Sequence, residues 1–280
     1  MVQSLTTVIN NGRAVSLDTI EVLNPEQFAQ AITGSVAFGE RVAALFGKNS
    51  DKPDTVEMVA VIADDDQNEL KLCRTEINGF EFNSITPKCP QVHMFEREIA
   101  EQFGVKVKDH PWFKPVRYHK SYTNVDAWGR GRETEILPAV CDFYKLEGEQ
   151  VHEVSVGPVH AGIIEPGHFR FQCHGEMVYH LEIALGFQHR GIERALVNGP
   201  DKRSLYLAET IAGDTSIGHG TSYCQVVEAL SNCNVSPRAQ ALRGIALELE
   251  RLANHTGDLG ALAQDIGFLP TSSFCGRIRG

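Results

Sequence analysis

A glycine- and proline-rich segment, residues 157–170, holds residue types that carry protons. It contains Glu165 with His160 and His168, and its composition predicts a tight loop. Histidine titrates near neutral pH, and burial raises the pKa of a glutamate toward that range, so these side chains are candidate proton carriers. The alternative is that they only satisfy backbone groups in a turn.

A second charged segment, residues 95–104, reads FEREIAEQFG and is followed by Asp-His-Pro. On a helix, Arg97 and Glu101 are four residues apart and are predicted to pair, while Glu96 shares a face with Ala100. The segment contains no nucleophile beside a base. From the residues alone, the alternative is a solvated charged helix.

Further polar residues lie in the second half of the chain. Arg190 and Glu193 are three residues apart and are predicted to form a buried ion pair, which would fix geometry more than add stability. Asn254, His255 and Asp258 are expected inside a helical bundle, where each would need a partner.

The cysteine pattern indicates reduced thiols. The seven cysteines are widely spaced, their number is odd, and no C-x-x-C occurs. The N-terminus lacks the basic and apolar regions of an export signal, so a disulfide framework is not expected. The positions are Cys73, Cys89, Cys141, Cys173, Cys224, Cys233 and Cys275.

Composition excludes two classes of protein. The formal net charge of −10 over 280 residues argues against a nucleic-acid binder, which needs clustered cations. No apolar run approaches the ~20 residues that cross a bilayer. Any membrane association is therefore expected to depend on partner subunits.

The first part of the chain alternates helical and strand patterns. Asn24 and Pro25 begin a predicted helix that runs to about Leu45, with Gly47 as its stop. Strands are predicted at 56–63 and 70–77, and a helix at 92–103. These elements predict a small α+β domain over residues 1–118.

Residues 119–150 carry no clean period and are predicted to form an extended connector. The second domain, 151–280, begins with a strand at 152–156 and a hairpin at 169–180, then becomes helical. A helix capped by Ser236 is predicted over 238–252 from one apolar stripe. The fold class is thus α+β, with a β-hairpin feeding an α-helical bundle.

The segment at 95–111 resembles the signature of the small, 30-kilodalton-type hydrophilic subunit of complex I. The resemblance rests on E-R-E, F-G and H-P, with Glu101 where the family has Asp. It implies a scaffold domain that binds no cofactor, docks against the large subunit and neighbouring iron–sulfur subunits, and uses Glu96 and Arg97 structurally.

The loop at 157–170 resembles the start of the large subunit of membrane-bound nickel–iron hydrogenases of the formate hydrogenlyase type. There the matching glutamate lies by the metal and is implicated in proton transfer, which implies that role for Glu165. In complex I the equivalent loop approaches a quinone. His160 matches its first histidine, but Pro166 stands at the second, so the chain follows the hydrogenase branch.

Other elements are similar to both families. His189, Arg190 and Glu193 form an H-R-G-x-E element that implies an interface to an iron–sulfur subunit, and the helix that begins near Arg238 implies architecture. We assign His168 to the same structural group. His219 stands where both families place a histidine, and it is either structural or part of a proton relay.

The nickel ligands of the hydrogenase family are missing from their expected positions. Alignment on residues 227–240 places the early C-x-x-C at Ala212 and Thr215. A methyl group cannot ligate and a hydroxyl is a hard ligand, whereas nickel and iron sites of this type use thiolates. Cys224 lies about three helical turns away and is no replacement. A nickel–iron centre is therefore not expected.

The order of these resemblances implies the N-terminal portion of a fused small and large subunit, and hence a truncated or partial gene product, since related large subunits continue beyond Gly280. The implied function is a subunit of a membrane-associated, complex I-like oxidoreductase. It would shape a proton-handling cavity beside an iron–sulfur cluster of a partner, with NAD(P)H- or formate-linked electron transfer to quinone. It would bind no cofactor itself, lie peripherally on the cytoplasmic face, and be inactive in isolation.

Two alternatives remain open at this point. One is a non-catalytic scaffold subunit of such an assembly. The other is an active nickel–iron hydrogenase, which requires the absent ligand pair.

Overall fold

The computed structural model describes residues 5–137, 142–159 and 166–279, and the fold is α+β. The described chain forms two compact units. The first comprises the residues up to Val159 together with 166–187, and the second comprises 188–279. The strands that follow residue 150 thus group with the first unit, whereas the sequence pattern placed the start of the second domain at 151.

A five-stranded sheet lies at the centre of the first unit, with β5 paired to β1, β2 and β4, and β4 to β3. Only the β2–β5 pair is parallel. The strands are β1 (Thr7–Asn10), β2 (Val22–Leu23), β3 (Arg41–Asn49), β4 (Thr55–Asp64) and β5 (Glu69–Asn78). Helices α1 (Pro25–Ala37) and α2 (His93–Phe103) pack beside it, with a parallel pair, β6 (Glu81–Asn83) and β7 (Lys106–Lys108).

The start of α1 confirms the predicted cap. The Asn24 side chain accepts a hydrogen bond from the Gln27 amide at 2.9 Å, and the Gln27 side chain accepts one from the Asn24 amide at 3.3 Å. This reciprocal arrangement satisfies two of the amides that a helix start leaves open. Pro25 occupies the first turn, where its missing N–H is not needed.

The predicted end of α1 is wrong. The helix stops at Ala37, and Gly39 has a φ of +95°, which favours glycine. Leu45 lies on β3, because residues 41–49 pair with β4 along almost their whole length. Gly47 is not a helix stop: a Cβ there would lie 2.6 Å from the Phe103 ring, so its role is to let α2 approach the strand.

The other strands and the second helix predicted for the first unit are confirmed. β4 is almost entirely buried, and β5 and α2 match their predicted spans within about two residues. α2 ends at Gly104, which has a left-handed φ of 71°. The largest fully buried apolar side chains are Phe28, Ile32, Leu45, Met58, Ile62, Ile77, Ile99, Val56, Val92 and Val105.

A three-stranded antiparallel sheet follows, in the order β10-β9-β8. Its strands are β8 (Val151–Val159), β9 (Gly167–His174) and β10 (Met177–Ala184). The predicted hairpin is confirmed, with Gly175 at a φ of +59° in its turn, and β8 extends it. Between β7 and β8 the described residues contain no helix or strand, only an isolated bridge between Val125 and Gly131.

The second unit is helical. Its helices are α3 (Ile192–Leu196), α4 (Ser204–Glu209), α5 (Ser216–Leu230), α6 (Pro237–Asp265) and α7 (Leu269–Arg279). α6 has the predicted cap, because the Ser236 hydroxyl accepts from the Ala239 amide at 3.3 Å. None of the described helices is long and apolar enough to span a bilayer. Six of the cysteines are described, and each is a free thiol.

Candidate functional site

Glu96 of α2 is a fully buried carboxylate with a complete set of donors. It accepts hydrogen bonds from the Ser84 hydroxyl, the Ile85 amide and the Thr86 hydroxyl, each at 2.6 Å. His110 Nε2 lies 3.8 Å away. Such charge-assisted bonds are roughly twice as strong as neutral ones, so Glu96 ties α2 to the chain that enters it.

Glu101 anchors a different segment, also from full burial. Its carboxylate accepts from the amides of Val116, Arg117 and Tyr118 at 3.2, 2.8 and 2.7 Å. Arg130 Nη2 donates to it at 3.3 Å. Three successive amides on one carboxylate hold residues 116–118 against α2, just before the connector begins at residue 119.

Arg97 completes this anchor from the same helix. Its Nε donates to the Lys114 carbonyl at 2.6 Å and its Nη2 to the Pro115 carbonyl at 2.9 Å. The residues of α2 do not form the solvated charged helix that the sequence alone allowed, because these side chains are buried. The three side chains are nearly fully buried: Glu96 is 0% exposed, Arg97 9% and Glu101 0%. Each hydrogen-bonds to backbone groups that burial would otherwise leave without a partner.

His93 and His110 stack beside Glu96, with ring centroids 5.3 Å apart. Burial lowers the pKa of both imidazoles, and the nearby Arg97 guanidinium lowers them further. Both rings are therefore neutral at physiological pH. His110 Nε2 donates a hydrogen bond to the His93 carbonyl oxygen at 3.2 Å.

The predicted proton-handling loop joins β8 to β9. Glu165 and His160 lie outside the described residues, but the strands bring the two ends of their loop together, because Val159 pairs with Gly167. His168 is half-buried on β9, with its Nδ1 3.3 Å from the Gly157 carbonyl oxygen.

Ala212 and Thr215, the expected nickel-ligand positions, lie in one tight turn before α5. The Thr215 amide donates to the Ala212 carbonyl at 3.1 Å. A turn of this kind suits two ligands three residues apart, but a methyl and a hydroxyl are not the soft donors that the metal needs. Among the residues that the structure describes, no group of three or more His, Cys, Asp or Glu side chains could hold a metal ion.

Arg190 holds the chain just ahead of this turn. Its Nη2 donates to the Ile211 carbonyl at 3.1 Å and also to the Thr210 carbonyl. Arg190 and Glu193 are both exposed, so the predicted burial of this pair is wrong. The H-R-G-x-E element thus positions the turn at 212–215.

Glu250 and Asn254 of α6 hold the other side of the turn. The Glu250 carboxylate accepts from the Ile217 and Gly218 amides at 2.7 and 3.0 Å, which places a negative charge at the N-terminus of α5. The Asn254 side chain donates to the Asp214 carbonyl at 2.7 Å. Sequence reasoning missed Glu250. The sequence feature that could have indicated Glu250 is its four-residue spacing from Asn254, which puts both side chains on one helix face.

The remaining predicted residues are spread over the second unit. His219 is half-buried on α5, one turn after Thr215, and His189 is half-buried ahead of α3. Arg238 is exposed in the first turn of α6. His255 and Asp258 are also exposed, which corrects the expectation that both are buried.

Comparison with known proteins gives a family match within the first unit and relatives among hydrogenase and oxidoreductase subunits. Residues 23–125 match the family "Respiratory-chain NADH dehydrogenase, 30 Kd subunit". The carbon monoxide-induced hydrogenase of Rhodospirillum rubrum is 36% identical over 117 residues, 42% of this chain and 32% of that protein. Formate hydrogenlyase subunit 5 of Escherichia coli (strain K12) is 28% identical over 204 residues, 69% of this chain and 36% of that protein.

A third relative, the C/D-type NADH-quinone oxidoreductase subunit of Bdellovibrio bacteriovorus, is 24% identical over 222 residues, 75% of this chain and 39% of that protein. The chain is homologous to subunits of hydrogenases and NADH-quinone oxidoreductases. The resemblance drawn from the sequence is thereby confirmed. The chain spans between 32% and 39% of the length of these three relatives.

Proposed function

We propose that the protein is a subunit of a membrane-associated oxidoreductase related to complex I and to the formate hydrogenlyase-type hydrogenases. The observation that carries this proposal is the length of the match to relatives of both kinds. Formate hydrogenlyase subunit 5 aligns over 69% of this chain, and the C/D-type oxidoreductase subunit aligns over 75%. In the proposal, the first unit is a scaffold, and the second forms part of a cavity beside an iron–sulfur cluster that a partner holds.

Assembly is tested by isolating the tagged chain, in its native membrane, with a mild detergent. Co-purification of iron–sulfur and membrane-embedded subunits is the expected result. Release of the chain by alkaline carbonate would support peripheral attachment through those partners, on the cytoplasmic face. Purification of the chain alone from gently solubilised membranes would contradict the proposal.

The proposed reaction couples NAD(P)H- or formate-linked electron transfer to quinone with proton movement through Glu165, His160 and His219. The Glu165→Gln variant of the assembled complex removes the ionisable group and keeps its shape. We expect normal assembly with a large loss of electron-transfer activity. Glu176→Gln, an exposed position in the β9–β10 turn, is the matched control and should keep full activity.

A pure scaffold is the outcome that this pair of variants would expose. If Glu165→Gln keeps both assembly and full activity, the protein holds other subunits in place and handles no proton. Loss of assembly in that variant is distinguished from loss of chemistry by native gel electrophoresis of the same membranes.

The proposal includes no nickel–iron centre on this chain. It rests on the methyl group of Ala212 and the hydroxyl of Thr215, which replace two soft donors in the turn before α5. Metal analysis of the purified complex should find iron without stoichiometric nickel. Stoichiometric nickel would make the protein a working hydrogenase.

A further inference from the structure

A cavity of about 680 Å³ lies within the first unit, in the size range of binding pockets. α2 and the chain after it form one wall, which includes Met94, Trp112 and Tyr118. Residues 181–185 form part of the cavity lining. Successive side chains of a strand point to opposite faces, so five consecutive residues line one cavity only where it runs along the strand's edge.

That edge of β10 is unpaired. β10 pairs with β9 alone, and within the described parts of the chain no other backbone group bonds to it. Natural edges are usually protected by lysine, proline or charge. From Leu181 to Ala184 the sole charged side chain is Glu182, which is 3% exposed and is held by Lys114 Nζ at 2.5 Å and the Tyr144 amide at 2.8 Å.

The sheet face beside this edge is apolar. Two rows run across all three strands: Val156, Phe169 and Ile183 form one, and Val154, Phe171 and Leu181 form the other. Leu181 and Ile183, at the end of these rows, are 43% and 49% exposed. A fourth strand with apolar side chains at alternate positions would continue both rows.

The charges of the cavity specify the occupant further. Its lining includes two cations, Arg97 and Lys114, and one carboxylate, Glu182. His93 also lines it and is neutral at physiological pH, because burial lowers its pKa. Because Glu182 pairs with Lys114, the lining carries one net positive charge, that of Arg97, and this local charge favours an acidic partner segment.

We propose that an acidic, extended peptide segment of a partner protein binds β10 as a fourth strand and places an apolar side chain in the cavity. The backbone edge supplies hydrogen bonds, and the cavity selects the side chain, as in other cases of strand addition. The inference is independent of the proposed electron-transfer function, since it requires neither a cluster nor a proton path.

The test uses the full chain and a synthetic nine-residue peptide that alternates leucine with threonine and carries two aspartates. Binding is measured by titration calorimetry. Two peptide controls are used: one has N-methyl groups on alternate amides, and one has lysine in place of aspartate. The protein variant is Ile183→Lys. Its matched control is Val156→Lys, which lies in the same row of the same face but on the opposite edge strand.

We expect saturable binding of the parent peptide, about tenfold or more weaker binding by Ile183→Lys, and unchanged binding by Val156→Lys. The methylated peptide should not bind, and the lysine peptide should bind more weakly. Absence of saturable binding, equal binding of the methylated or lysine peptide, or equal losses in both protein variants would overturn the proposal. Both substituted side chains are exposed, and thermal unfolding of each variant verifies its fold.

Discussion

The first unit and the long helix α6 bury their apolar residues to very different extents. In the first unit Phe28 and Ile32 are 0% exposed, in a core shared by two helices and the five-stranded sheet. On α6 the predicted stripe exists, but Leu249 and Leu252 are 62% and 60% exposed. An apolar period therefore specifies which face of a helix is apolar, whereas burial depends on what packs against that face.

The largest expected effect tests this difference directly. Phe28→Ala should lower the free energy of unfolding of the first unit by about 3–5 kcal/mol, since it removes a fully buried ring and leaves a cavity. Leu249→Ala, on the exposed stripe of α6, should change the free energy of unfolding of the helical unit by less than about 0.5 kcal/mol. Both tryptophans, Trp112 and Trp128, lie in the first unit, so their fluorescence during urea unfolding reports it separately.

The helical unit is followed in the same samples by far-ultraviolet circular dichroism. If Leu249→Ala destabilises those helices as strongly as Phe28→Ala destabilises the first unit, the stripe is a buried core in solution. The comparison between the two regions would then fail.

A smaller effect is expected from the anchor carboxylates of α2. Glu101→Gln removes a charge that three amides and Arg130 share, and should destabilise the first unit by about 1–3 kcal/mol. Glu98→Gln is the control on the same helix, where the carboxylate pairs with Arg117 at 3.0 Å and remains partly exposed. Equal destabilisation by the two variants in urea unfolding would show that burial of Glu101 adds nothing.

The second unit has a comparable but weaker anchor. Glu250→Gln should cost about 0.5–1 kcal/mol of helix stability, because it removes a negative charge from the N-terminus of α5. Glu248→Gln is the control, since that carboxylate faces solvent and bonds only to Arg251 among the described residues. Thermal unfolding followed by circular dichroism compares them, and added salt should reduce the difference between them.

The smallest effect concerns pH and is confined to the first unit. Burial lowers the pKa of His93 and His110 below the ordinary 6.5, so the unfolded chain binds more protons than the folded chain as pH falls below that value. The free energy of unfolding should therefore decrease from neutral pH downward, until the folded imidazoles also protonate.

Replacing both histidines by glutamine should flatten this decrease in urea unfolding measured by tryptophan fluorescence. His152→Gln, an exposed position on β8, should leave it unchanged. An unaltered pH profile in the double variant would show that other groups set it.

Patterns with local causes were predicted correctly from the sequence. The start of α1 at Asn24 and Pro25, the span of α2 and the strand β5 each depend on residues close in the chain. The end of α1 was missed because Val42 and Leu45 fit a helical period as well as a strand, and pairing with β4 decides between them. Periodicity alone cannot distinguish a helix from a strand in such a short apolar run.

Some features of the candidate site also follow from the sequence, whereas others required the tertiary structure. That Ala212 and Thr215 provide no soft ligands follows from residue identity alone, as does the overall acidic charge. That Glu96 and Glu101 are buried anchors, and that Arg190, Glu250 and Asn254 converge on the turn before α5, required the tertiary structure. The reason is that most of their partners are backbone groups at least ten residues away in the chain. Amides and carbonyls occur at nearly every residue, so no sequence pattern shows which of them a charged side chain will meet.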